Sequence, residues 1–278
     1  MACPGMLWAG GILLAWLFSL PPLLAIDGAF IERRLLTPLV AGSAAWLPPS
    51  LATGVSWFLV GLLAALAVLL RSFLHTGLFI VAHDAMHGVL HRGSARANAR
   101  LGQLALLLYA GLSYGRCLRQ HHRHHRHHGT ASDPDFAGGG ASLGRWFLKF
   151  LASYLGWAPM TKLLTIWAVL FGLASRSNPT AAINLLLFSI LPLLLSSLQL
   201  FLFGTYLPHR PAAHRAGQTV RSLPLPGWLS LLACYHFGYH WEHHAYPWLA
   251  WHELPASRSQ ATGDRVPARH PMPQHRLC

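Results

Sequence analysis

Four long apolar stretches, separated by polar segments rich in histidine, give the first reading of this chain. Residues 6–26 are free of charge and long enough to cross the roughly 30 Å hydrocarbon core of a bilayer. Residues 51–82 carry one charge, Arg71, and end beside His83. Residues 163–174 and 181–207 supply two further spans, joined by the tight Arg176-Ser177-Asn178-Pro179 connection. Between the first two lies a mixed connector, residues 27–50, with Glu32, Arg33, Arg34 and Pro48-Pro49. Residues 101–114 are apolar but short, the pattern of an interfacial or re-entrant helix. Residues 130–142, TASDPDFAGGGAS, are turn-rich and read as loop. Leu143–Tyr154 mixes Arg145 and Lys149 with Trp146, Phe147, Phe150 and Leu151, which predicts an amphipathic helix on the membrane surface. From Pro255 onward the chain is rich in Pro, Arg and Ser, a composition that predicts disorder. The expected architecture is an all-α integral membrane protein of about four transmembrane helices. It comprises one membrane domain over residues 1–254 and a disordered tail over 255–278.

Composition supports the membrane reading. Only 10% of the residues are charged, against about 25% in a soluble domain, and the mean hydropathy is +0.38. The net charge of +13 does not predict nucleic-acid binding, because the basic residues lie between spans and the aromatics sit in apolar runs. Anionic lipid explains that charge better. Cys3, Cys117, Cys234 and Cys278 are far apart and form neither a disulfide framework nor a thiolate zinc motif. The N-terminal MACPG lacks the basic region of a signal peptide, so the first apolar run is read as a span. Four spans return the chain to its starting side. His83, His87, the histidine tract and His209 then share one face with Arg92, Arg96, Arg100, Arg116, Arg119, Arg123, Arg126, Arg145, Lys149, Arg210, Arg215 and Arg221. The other face has little beyond Arg33, Arg34 and Arg176, so the histidine face is expected to be cytoplasmic.

Three histidine clusters lie on that face. HDAMH gives His83 and His87, and YHWEHH gives His240, His243 and His244. HHRHHRHH, residues 121–128, contains H-x-x-H-H twice, as His121, His124, His125 and as His124, His127, His128, and spacing alone does not choose. On a helix, offsets of three and four put each cluster on one face. Neutral imidazole suits iron, zinc, copper and nickel. Eight such nitrogens are too many for one tetrahedral zinc with an open position and about right for two metals. A single cluster is as well explained by interfacial histidines, but three on one face are not. Asp84 and Glu242 lie inside the first and third clusters and are candidates to orient ligating imidazoles. Asp133 and Asp135 either orient the second cluster or cap a turn. His75 faces a neighbouring helix or a substrate tunnel. His91, His214, His252, His270 and His275 read as solvated. Trp146, Trp157, Trp167, Trp248 and Trp251 are expected mainly in interface belts.

HDAMHG, GTASDPDF, FGTYLPHR and CYHFGYHWEHH, in this order, closely resemble the carotenoid ketolases of the bacterial beta-carotene 4-ketolase type. Those belong to the membrane fatty-acid desaturase and hydroxylase superfamily. The resemblance runs from about Gly77 to about Pro255. In the family the second box is followed, after three residues, by G-T-x-x-D-P-D. Gly129, Thr130, Asp133, Pro134 and Asp135 fit only if the paired histidines are His124 and His125, so the resemblance implies His121, His124 and His125 as ligands. It implies His127 as a neighbour of the site and leaves His122 and His128 incidental. It adds His209 as a ninth ligand. His236, one turn before His240, is either a tenth ligand or a hydrogen-bond partner. The implied cofactor is a pair of ferrous ions with O2 as co-substrate. The implied reaction is oxidation of C4 of a beta-ionone ring, through two hydroxylations and loss of water, taking beta-carotene to echinenone and canthaxanthin. Electrons are expected from an external, ferredoxin-like donor, since no flavin or nicotinamide motif is present. Within the superfamily the alternatives are a carotenoid 3-hydroxylase or a fatty acyl desaturase. Outside it, a metal transporter would need polar ligands midway through its spans, where only Arg71 and His75 occur.

Overall fold

The computed structural model describes residues 4–43, 46–138, 140–210 and 219–261, and these contain helices and no strand. Four helices are long and apolar enough to cross a membrane: α1 (Pro4–Leu24), α2 (Pro49–Met86), α6 (Trp157–Ala174) and α7 (Ala181–His209). Between α2 and α6 come α3 (Ala95–Ala110), α4 (Tyr114–His127) and α5 (Leu143–Tyr154). After α7 come the short helices α8 (Gly227–Cys234), α9 (His240–Ala245) and α10 (Leu254–Ala261).

The helices alternate in direction. At one end Gly5 lies against the Leu90 backbone, where a Cβ would stand 3.1 Å from its carbonyl oxygen, and Trp8 meets Trp251 edge to face. At the other end the Asn178 amide donates to the carbonyls of Leu24 and Ile26, both at 2.8 Å. These bonds cover carbonyls that the end of α1 leaves without helical partners. The ends of α2 and α7 therefore meet on the Gly5 side, under α4 and α9.

Four sequence expectations change. The connector 27–50 is largely helical, with Asp27 capping Gly28–Phe30 through a 2.6 Å bond from Phe30 N–H, then Ile31–Leu36 and Thr37–Ser43. Of the apolar run 101–114, Tyr114 opens α4 and residues 101–110 are the inner part of α3, a longer helix packed along α2. Ser94 caps its start and Gly111, at φ 65°, closes it. Arg96 and Arg100 hid the first turns of α3 from a search for apolar runs, because they lie on its solvent side. The predicted tail disorder does not hold for its first residues, since α10 buries Leu254 and Ser257. Residues after Ala261, with His270 and His275, lie outside the described residues, as do His214, Arg215, Cys3 and Cys278. Trp146 and Trp251 are buried rather than in a belt, whereas Trp157 is 89% exposed.

Arg71, midway along α2, is fully buried and donates inside the protein through Nε and Nη1, while Nη2 has no partner among the described residues. It bonds the Trp16 carbonyl, Ser19 Oγ at 2.9 Å and the Phe188 carbonyl at 3.1 Å. Phe188 lies in a π-helical stretch of α7, Leu186–Ile190, where the wider turn changes the backbone pairing. His75 completes the network, accepting from Trp16 Nε1 at 2.9 Å and donating to the Tyr109 carbonyl at 2.6 Å. These groups tie α1, α2, α3 and α7 together.

Candidate metal centre

α4 presents two opposite faces. Arg116, Arg119, Arg123 and Arg126 recur at offsets of three and four and are exposed. His121, His124 and His125 recur on the other side and point at the bundle. There they meet the ends of α2 and α7 and the inner face of α9. Two groups result. His83, His87, His121, His125 and His243 offer nitrogens that lie within 4.8 Å of one another. His124, His209, His240 and His244 do the same. Nε2 of His121 lies 2.6 Å from Nε2 of His87, and Nε2 of His125 lies 2.9 Å from Nε2 of His243. In the second group Nε2 of His244 is 3.2 Å from Nε2 of both His124 and His240.

Such convergence has a cost unless a cation stands at the centre, because facing lone pairs repel and buried nitrogens need partners. Nε2 of His83 and of His209 are buried with no hydrogen-bond partner among the described residues. Burial first, and neighbouring imidazoles second, hold His121, His125, His240, His243 and His244 well below the usual imidazole pKa. Neutral imidazole is the form that binds metal. The donor set fits two divalent ions with nitrogen preference.

His124 differs. Burial opposes its charge, but the hydrogen bond to Asp133 and the charges of Asp135 and Asp133 outweigh burial and raise its pKa. Its Nδ1 faces Asp133 Oδ1 at 2.9 Å while its Nε2 faces His244. Asp133 is itself held by the backbone N–H groups of Gly129, at 3.0 Å, and Asp135, at 2.9 Å. A carboxylate fixed in this way sets the tautomer of its imidazole.

Other candidates fall outside this geometry. Asp84 accepts from Trp251 N–H at 3.2 Å and stands 3.6 Å from His83 Nδ1, beyond a hydrogen bond. Glu242, expected to orient an imidazole, instead bonds Ser222 Oγ and lies 3.8 Å from Arg258. Two residues past His240, it points to the far side of α9 from the histidines. His236 belongs to neither group. Tyr235 and His236 have φ of 47° and 60°, which ends α8 and lets α9 start only at His240. The one-turn relation of His236 to His240 therefore does not exist, and its ring stacks on Tyr239 and Trp251. His127 is exposed. His128 is less incidental than expected: its ring lies 4.8 Å from that of His244, and its Nδ1 is 3.1 Å from the His125 carbonyl.

A small cavity of about 30 Å³ opens between the two groups. His83, His121, His124 and His240 form one side, and Phe79, Phe150, Leu200 and Phe237 line the apolar remainder. Asp135, Tyr154 and Thr205 are its other polar residues. Its shape depends on Gly204, in the π-helical stretch Leu202–Tyr206 of α7, where a Cβ would stand 2.3 Å from the Phe237 ring. Phe237 in turn packs edge-on against His83, at 4.7 Å between ring centres. Sequence reasoning missed these lining residues, although Gly204 and Phe237 sit within FGTYLPHR and CYHFGYHWEHH.

Fold and site together define a helical membrane protein with two all-histidine groups, each able to hold a metal ion, at one end of its bundle beside a small cavity. The chain belongs to the fatty acid desaturase family, whose model matches residues 56–274. A beta-carotene ketolase of a Paracoccus strain is 42% identical over 227 residues, 78% of this chain and 89% of that protein. The beta-carotene ketolase of Paracoccus sp. strain PC1 is 43% identical, over 74% and 82% of the two chains. A zeaxanthin 4-ketolase of Chlamydomonas reinhardtii is 41% identical over 69% of this chain and 43% of its own length.

Proposed function

We propose that the protein is a carotenoid ketolase that oxidises C4 of beta-ionone rings, taking beta-carotene to echinenone and canthaxanthin with O2. The observation that carries this is a narrow, aromatic-lined cavity running between two all-histidine groups, in a chain about 42% identical to curated beta-carotene ketolases. His83, His87, His121, His125 and His243 would hold one iron, and His124, His209, His240 and His244 the other. A bound ferrous pair supplies reductive activation of O2 for oxidation of an unactivated C–H bond.

The chain's own contribution is placement and exclusion. Phe79, Phe150, Leu200 and Phe237 offer an apolar wall for the ring to pack against as it enters, and would keep bulk water from the reacting carbon. Asp133 holds the proton of His124 at Nδ1 and so turns Nε2 toward the second group. The substrate dissolves in the bilayer, and the site at the end of the bundle receives its ring. The active site lies on the cytoplasmic face, where a soluble ferredoxin-like donor supplies the two electrons per O2.

The test is expression in a bacterium that accumulates beta-carotene, followed by pigment chromatography. Cells should turn from yellow-orange toward red, with echinenone transient and canthaxanthin accumulating. Unchanged beta-carotene beside confirmed membrane expression and adequate iron contradicts the reading, and zeaxanthin alone replaces it with 3-hydroxylation.

A further inference from the structure

Two carboxylates in one loop do different work. Asp133 is saturated by His124 and two backbone N–H groups. Asp135, two residues on, faces the cavity. Its carboxylate receives one side-chain donor, the Tyr154 hydroxyl, whose oxygen is 3.1 and 3.3 Å from the two carboxylate oxygens. It stands 3.9 Å from His124 Nδ1, too far to orient that ring. A single shared proton leaves acceptor capacity on both oxygens. Asp135 and Tyr154 thus form a polar spot in the wall of a cavity whose other non-histidine lining is apolar apart from Thr205. The spot is rigid: the Asp135 carbonyl accepts from the buried Trp146 Nε1 at 2.6 Å, and Lys149 bonds the next carbonyl, that of Phe136. α5 is thereby fastened to the loop at several points, so the Tyr154 hydroxyl is not needed to hold it there.

A beta-ionone ring carries no hydrogen-bonding group before the first oxidation. After it, the ring carries one hydroxyl. We propose that Asp135 and Tyr154 are positioning residues that bind the hydroxyl of a hydroxylated ring, retaining the 4-hydroxy product of the first oxidation for the second. The inference rests on the ketolase reading. The hydroxyl donates to a free acceptor site of Asp135, while Tyr154 keeps that carboxylate turned into the cavity. No bond to carbon changes in this step. What changes is whether the one hydrogen remaining on C4 faces the histidines.

The experiment compares Tyr154→Phe and Asp135→Asn with wild type and with Lys149→Ala, which loosens the same helix without touching the cavity. The readout is the ratio of 4-hydroxy to 4-keto rings in carotene-accumulating cells, with KM for 4-hydroxy-beta-carotene and for beta-carotene measured separately in membranes. Loss of the hydroxyl that aims the Asp135 carboxylate into the cavity should raise the ratio, and KM for the hydroxylated substrate alone, by about three- to tenfold in Tyr154→Phe. Asp135→Asn, which keeps one acceptor oxygen, should shift both less, and Lys149→Ala should match wild type. A second readout is binding of the two carotenoids to metal-free protein in detergent, followed by absorbance. Wild type should prefer the hydroxylated ring, and Tyr154→Phe should lose that preference. An unchanged ratio in both cavity variants overturns the proposal, as does an equal rise in Lys149→Ala. If wild type makes no oxygenated carotenoid, the ketolase reading fails, and the binding preference still decides whether this pair recognises a hydroxyl.

Discussion

His124 belongs to both registers of the histidine tract, so it could not decide between them. The geometry separates the rest: His121 and His125 face the first group, His128 lies beside His244 without joining either, and His127 is exposed. His121→Ala and His125→Ala should each abolish ketone formation and lower iron per chain, because a missing nitrogen leaves one ion under-coordinated. His127→Ala should match wild type. His128→Ala should keep its iron with partial activity. Iron analysis beside pigment yield checks this, and an inactive His128→Ala with an active His121→Ala would place the ligands three residues later. Titration supplies a second prediction. The pKa values of His87, His121, His125, His240, His243 and His244 are lowered by burial first, that of His87 to about 3. Between the unfolded imidazole value of about 6.5 and those lowered values, the unfolded chain binds more protons, so stability falls as pH falls. His124 is raised and works oppositely, its contribution being full below about 6.5 and lost as pH rises through its folded value. With these six imidazoles against His124 and Asp135, whose carboxyl pKa burial also raises, metal-free protein in detergent should show a Tm that drops between about pH 7 and about pH 5. A Tm that rises over that interval contradicts it.

At the scale of elements, periodic patterns in the sequence were reliable where one face alone determined the outcome. α5 matches its amphipathic pattern at both ends, and the four spans follow from apolar length. What the pattern hid were interruptions whose cause lies in another element. The left-handed pair Tyr235-His236 breaks what reads as one helical histidine face, and two π-helical stretches interrupt α7. Both stretches bear on function. One presents the Phe188 carbonyl to Arg71, and the other carries Gly204 and Thr205 to the cavity. Removing Arg71 would take a donor from the Phe188 carbonyl in hydrocarbon surroundings, at about 1–3 kcal/mol if that group is left unpaired, while the Trp16 carbonyl keeps the Ser19 hydroxyl. Arg71→Leu should therefore lower the unfolding temperature in detergent and reduce membrane yield. Arg71→Lys should recover part of the loss, since one ammonium cannot reach all the acceptors that a guanidinium spans. Equal stability of wild type and Arg71→Leu would show that the network contributes nothing net, as some buried ionic groups do.

For the whole molecule, the sequence showed that the histidine clusters share one side, because an even number of spans separates the first terminus from the last cluster. It could not show which histidines pair across helices, since that depends on how α4 and α9 cross the ends of α2 and α7. Orientation in the membrane follows from charge. The end carrying the histidines also carries Arg92, Arg96, Arg100, Arg116, Arg119, Arg123, Arg126, Arg145 and Lys149, while the Asn178 end carries Arg33, Arg34 and Arg176. Loop basic residues resist translocation, so the histidine end should remain in the cytoplasm. An alkaline phosphatase that works only outside the cytoplasm should be inactive when fused after Cys278 and active when inserted beside Arg176. A fluorescent protein that folds only inside should give the reverse pattern. Phosphatase activity after Cys278 would put the histidine groups on the outer face. A soluble cytoplasmic electron donor could not reach them there, so one fusion series tests the orientation and the source of reducing equivalents together.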